Sequence, residues 1–268
     1  MAHVLEVTDV DDPRVDDFRD LATADRRPDR PGGRGLVIAE GVVVVERLLD
    51  SPYPVRALLG VRRRIAALAD RLDGVDVPAY MVPPDVMSGI VGFHLNRGVL
   101  AVADRAHLAE ADELIAASRA LAVLEGVGDH ENLGALFRNA AAFGVDGILL
   151  GPGCSDPLYR RSIRVSMGHV LRVPFAHLDD WPGGLGKLAA HGFRTAALTP
   201  RATATPLAEA GLDEGRVAVL LGSEGPGLTE DAITAADVAV RVPMSPEVDS
   251  LNVATAGAVV FHALGGTR

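Results

Sequence analysis

Apolar positions in the first 105 residues fall alternately into short runs and into helical stripes. Short runs rich in Val, Leu and Ile predict strands, and stripes that repeat every three to four residues predict helices. The predicted strands lie at 36–39, 55–59, 77–82 and 98–103, and the predicted helices lie at 42–49 and 62–72. This pattern predicts a small β-α-β-α-β unit with a sheet of its own.

The same alternation begins again after an Ala-rich, charged stretch at 106–120, which is a helix or a linker. The predicted strands there are 121–124, 147–150, 170–175, 194–198, 217–221 and 238–242, and the predicted helices are 133–143, 157–165, 185–191, 229–235 and 250–264. Such alternation indicates a parallel sheet with helices on both faces, whose ligands bind beyond the carboxyl ends of the strands. We therefore predict an α/β protein with a first domain at 1–105, a linker at 106–118 and a parallel-sheet domain at 119–268.

Composition narrows the class of protein. The chain has 268 residues, of which 48% are hydrophobic and 4% aromatic, and a chain of this size can bury a substantial core. No apolar run approaches the roughly 20 residues of a membrane helix, and the Asp-rich N-terminus lacks the apolar centre of a signal peptide. One cysteine, Cys154, cannot form an internal disulfide, and no Cys/His cluster has zinc spacing. We expect a cytoplasmic enzyme without a bound metal.

Net charge changes the picture of possible partners. At −10 the chain does not resemble a general nucleic-acid binder, since non-specific affinity comes mostly from cations that displace counterions at phosphates. The basic residues are nearly all Arg and are concentrated locally. Clusters occur at 26–34, which includes Arg30 and Arg34, at Arg62 to Arg64, and at 160–164. Each cluster is either a solvated surface or an RNA contact.

The first candidate for chemistry is the stretch 126–144, GVGDHENLGALFRNAAAFG, which follows a predicted strand. Asn132 and Arg138 are six residues apart, so on one helix their side chains project within about 120° of each other. If Asn132 instead precedes the helix, it is an N-cap, a role for which Asn is well suited. Arg138 is either a surface residue or a site residue. The second alternative is favoured by the small alanines around it, which let another element come close.

The second candidate is the stretch 219–227, VLLGSEGPG, a Gly- and Pro-rich loop directly after an apolar strand. Glycines in such a loop leave backbone groups bare for a ligand. Their order is neither the G-x-G-x-x-G of dinucleotide-binding folds nor that of a P-loop. The alternative is a tight connection into a helix capped by Thr229. Glu224, the only charged residue of the loop, is a candidate partner for an Arg such as Arg138.

The third candidate is the stretch 242–253, VPMSPEVDSLNV, which leads from a predicted strand through a Pro-containing loop into the last helix. Ser250 is either a site residue or the cap of that helix. The helix continues with Ala254, Ala256, Gly257 and Ala258. Side chains this small predict close packing against another element, within the chain or between subunits.

Together, in this order and in these strand contexts, the three stretches resemble the motifs of the SpoU/TrmH family of RNA ribose 2′-O-methyltransferases, in the knotted SPOUT superfamily. The matching residues are 132–134 with Arg138 and 142–144, 221–225 with 227–228, and 242–244 with 250–253. The resemblance covers essentially the whole chain, because 12–99 is similar to a substrate-binding domain with the ribosomal-protein L30e fold and 159–173 resembles the linking segment of the family. Pro246 departs from the family, where Gly is commoner, but removes no functional side chain.

The resemblance implies a deep C-terminal trefoil knot that binds S-adenosylmethionine mainly through backbone groups. The matching cofactor positions are Thr199, Gly222, Val242, Met244 and Leu251. The matching catalytic positions around the target hydroxyl are Asn132, Arg138, Glu224, Ser250 and Asn252. The resemblance also implies a homodimer, and an N-terminal domain that holds RNA through a set of arginines: Arg30, Arg34, Arg62, Arg63 and Arg64.

The implied reaction is methylation of a ribose 2′-hydroxyl, and the additional N-terminal domain favours 23S ribosomal RNA over transfer RNA. Because a guanidinium does not normally lose its proton, we expect Arg138, held by Glu224, to act as an electrostatic clamp on a phosphate and on the developing alkoxide. The proton then passes to a phosphate or to water. The alternatives are a transfer-RNA 2′-O-methyltransferase and a non-catalytic RNA-binding or ribosome-assembly protein on the same scaffold. A Rossmann-type oxidoreductase is disfavoured, since its glycine fingerprint is missing.

Overall fold

The computed structural model describes residues 3–19, 21, 35–106 and 109–264. The chain divides into two compact units, of which the first comprises Met1–His107 and Leu158–Arg172 and the second comprises Leu108–Pro157 and Val173–Arg268. The sequence did not predict that 158–172 belongs with the first unit. The predicted RNA contacts Arg30 and Arg34 lie outside the described residues.

Strands and helices alternate along most of the described chain. The strands are β1 (His3–Glu6), β2 (Val37–Glu40), β3 (Val55–Gly60), β4 (Pro78–Met81), β5 (Val99–Ala103), β6 (Ala120–Glu125), β7 (Gly147–Leu150), β8 (Phe175–His177), β9 (Phe193–Leu198), β10 (Thr205–Pro206), β11 (Arg216–Gly222) and β12 (Val238–Arg241). The helices are α1 (Val42–Leu49), α2 (Arg62–Ala66), α3 (Ala69–Leu72), α4 (Pro84–Val91), α5 (Ala111–Ala117), α6 (His130–Phe143), α7 (Arg160–Val165), α8 (Leu185–Ala190), α9 (Glu230–Ala235) and α10 (Val253–Ala263).

The first unit contains a five-stranded sheet in the order β1-β4-β3-β5-β2. β1, β4 and β3 are parallel, whereas β5 is antiparallel to both β3 and β2. The later segment of the chain completes this unit, because α7 packs on β2. Directly after α7, Gly168 has a φ of 85° and lies against Val44 and Arg47 of α1. The core of the unit includes Phe18, Leu59, Ile90 and Leu100.

The second unit contains a seven-stranded parallel sheet, which confirms the predicted class of fold. The strand order is β10-β12-β9-β11-β6-β7-β8. On one face, Leu121 and Leu220 form a core with Leu114 of α5 and Leu188 of α8. On the other face, α10 packs on β11 and on α6. Because every strand points the same way, the carboxyl ends of β6, β9, β11 and β12 lie at one edge.

α10 and α6 pack closely within the chain, at the small residues that the sequence singled out. A Cβ atom on Gly257 would lie 2.5 Å from Cδ2 of Leu136, so this contact requires a glycine or a displaced leucine. The amide of Asn139 adds a hydrogen bond across the helix pair, from Nδ2 to the carbonyl oxygen of Ala254 at 2.8 Å. The prediction of close packing is therefore confirmed for a contact inside the chain.

The predicted strand at 170–175 is wrong. Residues His169–Leu171 form a 3-10 turn, and the strand β8 begins only at Phe175. Gly168 adopts a left-handed conformation before the turn, and the backbone N–H of Leu171 donates to its carbonyl oxygen at 3.1 Å. A local turn therefore satisfies backbone groups that a strand would have had to pair with a neighbour.

Helix ends differ from the prediction where the capping residue was misassigned. α6 begins before Asn132 because Asp129 caps it, accepting from the backbone N–H of Asn132 at 3.0 Å; the alternative of Asn132 as cap is therefore wrong. α10 is capped by Asn252 and not by Ser250. The predicted helix at 62–72 is two short helices, α2 and α3, and neither β1 nor α4 was predicted. β1 has only two apolar residues, Val4 and Leu5, and both are exposed, so it lacks the longer apolar run by which buried strands are recognised.

Candidate active site

A cleft of about 300 Å³ opens at the carboxyl ends of β9, β11 and β12. Its walls come from three stretches of chain that follow these strands, 198–201, 221–230 and 242–256. All five positions predicted to hold the cofactor line this one cleft: Thr199, Gly222, Val242, Met244 and Leu251. The location agrees with the rule that parallel sheets bind ligands beyond the carboxyl ends of their strands.

The loop 222–228 forms one wall of the cleft and folds back on itself. Ser223 forms a bridge with Gly227, whose backbone N–H donates to the carbonyl oxygen of Ser223 at 3.1 Å. A Cβ atom on Gly222 would lie 2.1 Å from the carbonyl carbon of Gly227 and from the backbone nitrogen of Leu228. Because no side chain fits there, the two ends of the loop touch backbone to backbone. The loop is therefore compact, and each of its residues from 222 to 228 lines the cleft.

Three of the predicted catalytic residues form a hydrogen-bonded network beside the cleft. Asn132 Nδ2 donates to one carboxylate oxygen of Glu224 at 3.1 Å, and Asn252 Nδ2 reaches the other oxygen at 3.1 Å. Asn252 also lies 2.8 Å from Oδ1 of Asn132, while its own Oδ1 caps α10. The network joins α6, the loop after β11 and the start of α10. Glu224 and Ser250 line the cleft itself.

Arg138 does not pair with Glu224, which corrects the expectation that this carboxylate holds it. Arg138 is exposed, and in the described part of the chain no hydrogen bond or ion pair engages its guanidinium. Both oxygens of Glu224 instead accept from the two asparagines. An amide donates without a net charge, so it satisfies the carboxylate and leaves the arginine free for a ligand.

An ion pair at the rim of the cleft was missed by sequence reasoning. Arg201, after β9, pairs with Glu230, the first residue of α9, and both line the cleft. The two residues are 29 positions apart in the chain, and neither belongs to one of the three motif stretches. Their position at strand and helix ends was the only available signal.

The remaining predicted RNA-binding residues, Arg62 to Arg64, lie on α2 of the first unit. Arg62 pairs with Glu6 through a contact of 2.8 Å. Arg63 is exposed, and the stem of Arg64 covers Gly98, with Cγ 3.2 Å from the place of a Cβ there.

Several other kinds of site find no support in the described residues. Burial raises the pKa of the Cys154 thiol, which keeps it in the weakly nucleophilic neutral form. Across 3–106 and 109–264, with the gaps given above, no three His, Cys, Asp or Glu side chains are grouped as metal ligands. Each helix in that part of the chain is too short or too polar to cross a membrane.

Comparison with known proteins places this site in a family. The SpoU rRNA Methylase family matches residues 119–262. A protein of Mycobacterium tuberculosis called an uncharacterized tRNA/rRNA methyltransferase is 55% identical over 97% of this chain and 91% of its own length. The 23S rRNA (guanosine(2553)-2′-O)-methyltransferase RlmP of Bacillus subtilis is 28% identical over 94% of this chain and 96% of its own.

A solved structure supports the same assignment. This structure is the rRNA methyltransferase of Sinorhizobium meliloti bound to AdoMet, which is S-adenosylmethionine. It superposes on this chain with a TM-score of 0.81 at 25% identity, over 97% of each chain. The family match covers more than half of the chain, including the three motif stretches and the strands that carry them. The chain therefore belongs to the SpoU family of RNA methyltransferases, as the resemblance of its motifs predicted.

Proposed function

We propose that this protein transfers a methyl group from S-adenosylmethionine to a ribose 2′-hydroxyl of RNA. The observation that carries the proposal is one cleft lined by all five expected cofactor positions and bordered by the network of Asn132, Glu224 and Asn252. The 2′-O specificity is supported by the name of the Bacillus subtilis relative. Binding of the cofactor is supported by the AdoMet-bound Sinorhizobium meliloti relative.

The residues present fit this cofactor. The cleft volume of about 300 Å³ lies at the small end of the range for ligand sites, roughly 300–1,000 Å³. The lining combines apolar residues, such as Leu221 and Leu251, with the glycine-rich loop 222–228. Glycines leave backbone groups accessible, which suits a flat purine with hydrogen-bonding edges. When bound, S-adenosylmethionine supplies a methyl group already activated by its sulfonium charge.

Arg138 is then the group that meets the RNA. A guanidinium stays protonated, so Arg138 binds a phosphate or the developing alkoxide and does not act as the base. The proton of the hydroxyl passes to a phosphate or to water. Glu224 keeps the two asparagines in place, and these orient the start of α6 and of α10, while Ser250 contributes a hydroxyl to the cleft.

We infer the rest of the architecture from membership of the family. We propose that 1–105 is an RNA-binding domain with an L30e-like fold, that 119–268 is the catalytic domain with a C-terminal trefoil knot, and that the protein acts as a homodimer. The substrate is ribosomal RNA rather than transfer RNA, and Arg62 to Arg64 contact its phosphates. Local arginines of this kind offset the net charge of −10, since counterion release depends on the cations at the contact.

Transfer of labelled methyl groups to purified ribosomal and transfer RNA tests the proposal. Modified positions are located by the resistance of 2′-O-methylated linkages to alkali. We expect methylation of ribosomal RNA by the wild-type protein, loss of about a hundredfold or more in Arg138→Ala, and no change in Arg119→Ala. Arg119 is a matched control because it is exposed and precedes β6, at the amino ends of the strands.

The outcomes separate the alternatives. Methylation of transfer RNA alone would reassign the substrate. Cofactor-independent RNA binding without methyl transfer would support the non-catalytic alternative. Near-full turnover by Arg138→Lys would contradict the bidentate clamp, because a lysine cannot form two parallel hydrogen bonds in one plane.

A further inference from the structure

Glu125, the last residue of β6, is a buried carboxylate that neither the cleft nor the network uses. Glu125 is only 6% exposed. Oε1 accepts from Trp181 Nε1 at 2.5 Å and from the hydroxyl of Thr229 at 2.9 Å, and Oε2 accepts from the backbone N–H of Thr229 at 2.9 Å. Within the described part of the chain no cation forms an ion pair with it. A buried charge is costly unless donors surround it, so these three hydrogen bonds explain how the carboxylate is tolerated.

Thr229 connects this carboxylate to the cleft. It directly follows Leu228, which lines the cleft, and its hydroxyl caps α9 by accepting from the backbone N–H of Ala232 at 3.3 Å. The backbone of Leu228 in turn abuts Gly222 on the opposite side of the loop. Any shift of Thr229 therefore moves the end of the loop 222–228 that holds Gly222 in place.

We propose that Glu125 is a positioning residue for the cofactor loop and that it couples occupancy of the cleft to the environment of Trp181. Trp181 is the only tryptophan of the chain, and its indole N–H shares Oε1 of Glu125 with the hydroxyl of Thr229. The proposal rests on the proposed cofactor but not on which RNA is methylated. A movement of the loop on cofactor binding changes the hydrogen bond of the indole, and hence its emission.

An amide cannot replace this carboxylate. If the oxygen of a glutamine occupies the place of Oε1, its NH₂ faces the backbone N–H of Thr229. If the oxygen occupies the place of Oε2, the NH₂ faces the indole N–H of Trp181. Either orientation sets two donors against each other, and a donor left without an acceptor in a buried site is destabilising. Glu125→Gln therefore conserves volume but breaks one of the anchors.

The chain offers a matched control for this substitution. Asp237 also accepts from the backbone N–H and the hydroxyl of one threonine, Thr195, at 2.7 and 2.8 Å. This pair lies at the starts of β9 and β12, away from the cleft. Both donors bond the same oxygen, Oδ2, of a carboxylate that is exposed, so an asparagine can keep both hydrogen bonds. Asp237→Asn therefore controls for the change from carboxylate to amide without breaking an anchor and without touching the loop.

Calorimetric titration of S-adenosylmethionine into the full-length protein, with tryptophan emission recorded in parallel, tests the proposal without RNA. We expect Glu125→Gln to bind roughly tenfold more weakly, which corresponds to about 1.4 kcal/mol, and Asp237→Asn to bind like the wild type. The emission of the wild type should shift with cofactor saturation, and that shift should be reduced in Glu125→Gln.

The proposal would be overturned if Glu125→Gln bound the cofactor with unchanged affinity, or if the tryptophan emission of the wild type did not change on cofactor binding. Absence of cofactor binding by the wild type would overturn the cofactor assignment and this proposal together, whereas tight binding without RNA methylation would overturn only the proposed function. If Glu125→Gln does not fold, Thr229→Val removes one donor to Glu125 together with the side-chain cap of α9, and it should still weaken binding several-fold. Its control, Thr195→Val, should leave the affinity unchanged.

Discussion

Replacing Gly222 by alanine perturbs the loop 222–228 at a single point. Gly222 does not have a left-handed φ, so alanine can adopt its backbone conformation and the effect comes from contact alone. The added methyl would lie 2.1 Å from the backbone of Gly227 and Leu228. These atoms are not the flexible end of a side chain, so the methyl can be accommodated only if the loop opens.

The size of the effect follows from that distance. Ordinary contact begins at 3.4 Å, so the opposing backbone must retreat by 3.4 minus 2.1, or 1.3 Å. The retreat breaks the hydrogen bond between Gly227 and Ser223, worth about 1 kcal/mol, and adds backbone strain of about 1–3 kcal/mol. We expect a loss of about 2–4 kcal/mol in the free energy of unfolding. A displacement of about 1 Å in a catalytic site can cost a hundredfold in rate, so turnover should fall by about that factor.

Differential scanning calorimetry and a single-turnover methylation assay measure the two effects. Gly186→Ala is the control, because Gly186 lies in α8 with nothing within 4 Å of the place of its Cβ. That substitution should stabilise the protein by up to about 1 kcal/mol through helix propensity and leave turnover unchanged. A Gly222→Ala protein with wild-type stability and turnover would refute the view that the loop needs backbone-to-backbone contact.

Three further results are expected. Asn252→Ala should lower the free energy of unfolding by about 1 kcal/mol, because it removes the cap of α10. Asn252→Asp should keep the cap but lower the turnover, because it removes the donor that lies 3.1 Å from Glu224. Thermal unfolding and methylation assays distinguish the two variants. The backbone N–H and then the hydroxyl of Thr195 lower the pKa of Asp237 below 3.8, so its stabilisation is complete above the unfolded pKa and is lost as the pH falls through the lower folded one. The stability advantage of the wild type over Asp237→Asn should therefore shrink below about pH 4, and an advantage that grows on acidification would contradict the assignment. Arg63→Ala should reduce the slope of log affinity for single-stranded RNA against log salt by about 0.7, measured by fluorescence anisotropy at several salt concentrations, and an unchanged slope would remove Arg63 from the RNA contact.

The parallel sheet of the second unit was predictable because it is buried on both faces. Strands of this kind are continuous apolar runs. β6, β7 and β11 differ so clearly from the charged stretches around them that the apolar run alone locates each strand. The cleft was predictable for a related reason, since parallel strands end at the same edge. The exposed β1 and the turn at His169–Leu171 were not, because their conformation depends on a neighbouring strand and on one glycine rather than on an apolar pattern.

The partners of charged side chains could not be predicted in the same way. Glu224 was expected to hold Arg138, yet two asparagines from separate helices take both of its oxygens. Sequence indicates which residues reach one edge of the sheet, but the choice among donors there depends on distances of an ångström or less. The same limit concealed Glu125, whose three donors come from residues 56 and 104 positions away.

The composition of the first unit from two separate stretches has a consequence for synthesis on the ribosome. After residue 107, another 65 residues must be made before the unit has its full chain at residue 172. At about 5–20 residues per second, this takes roughly 3–13 s. During that interval β2 lacks the helix that packs on it. Residues 1–107 thus cannot complete their unit alone, and the order of translation ties its maturation to the prior synthesis of residues 108–157 of the second unit.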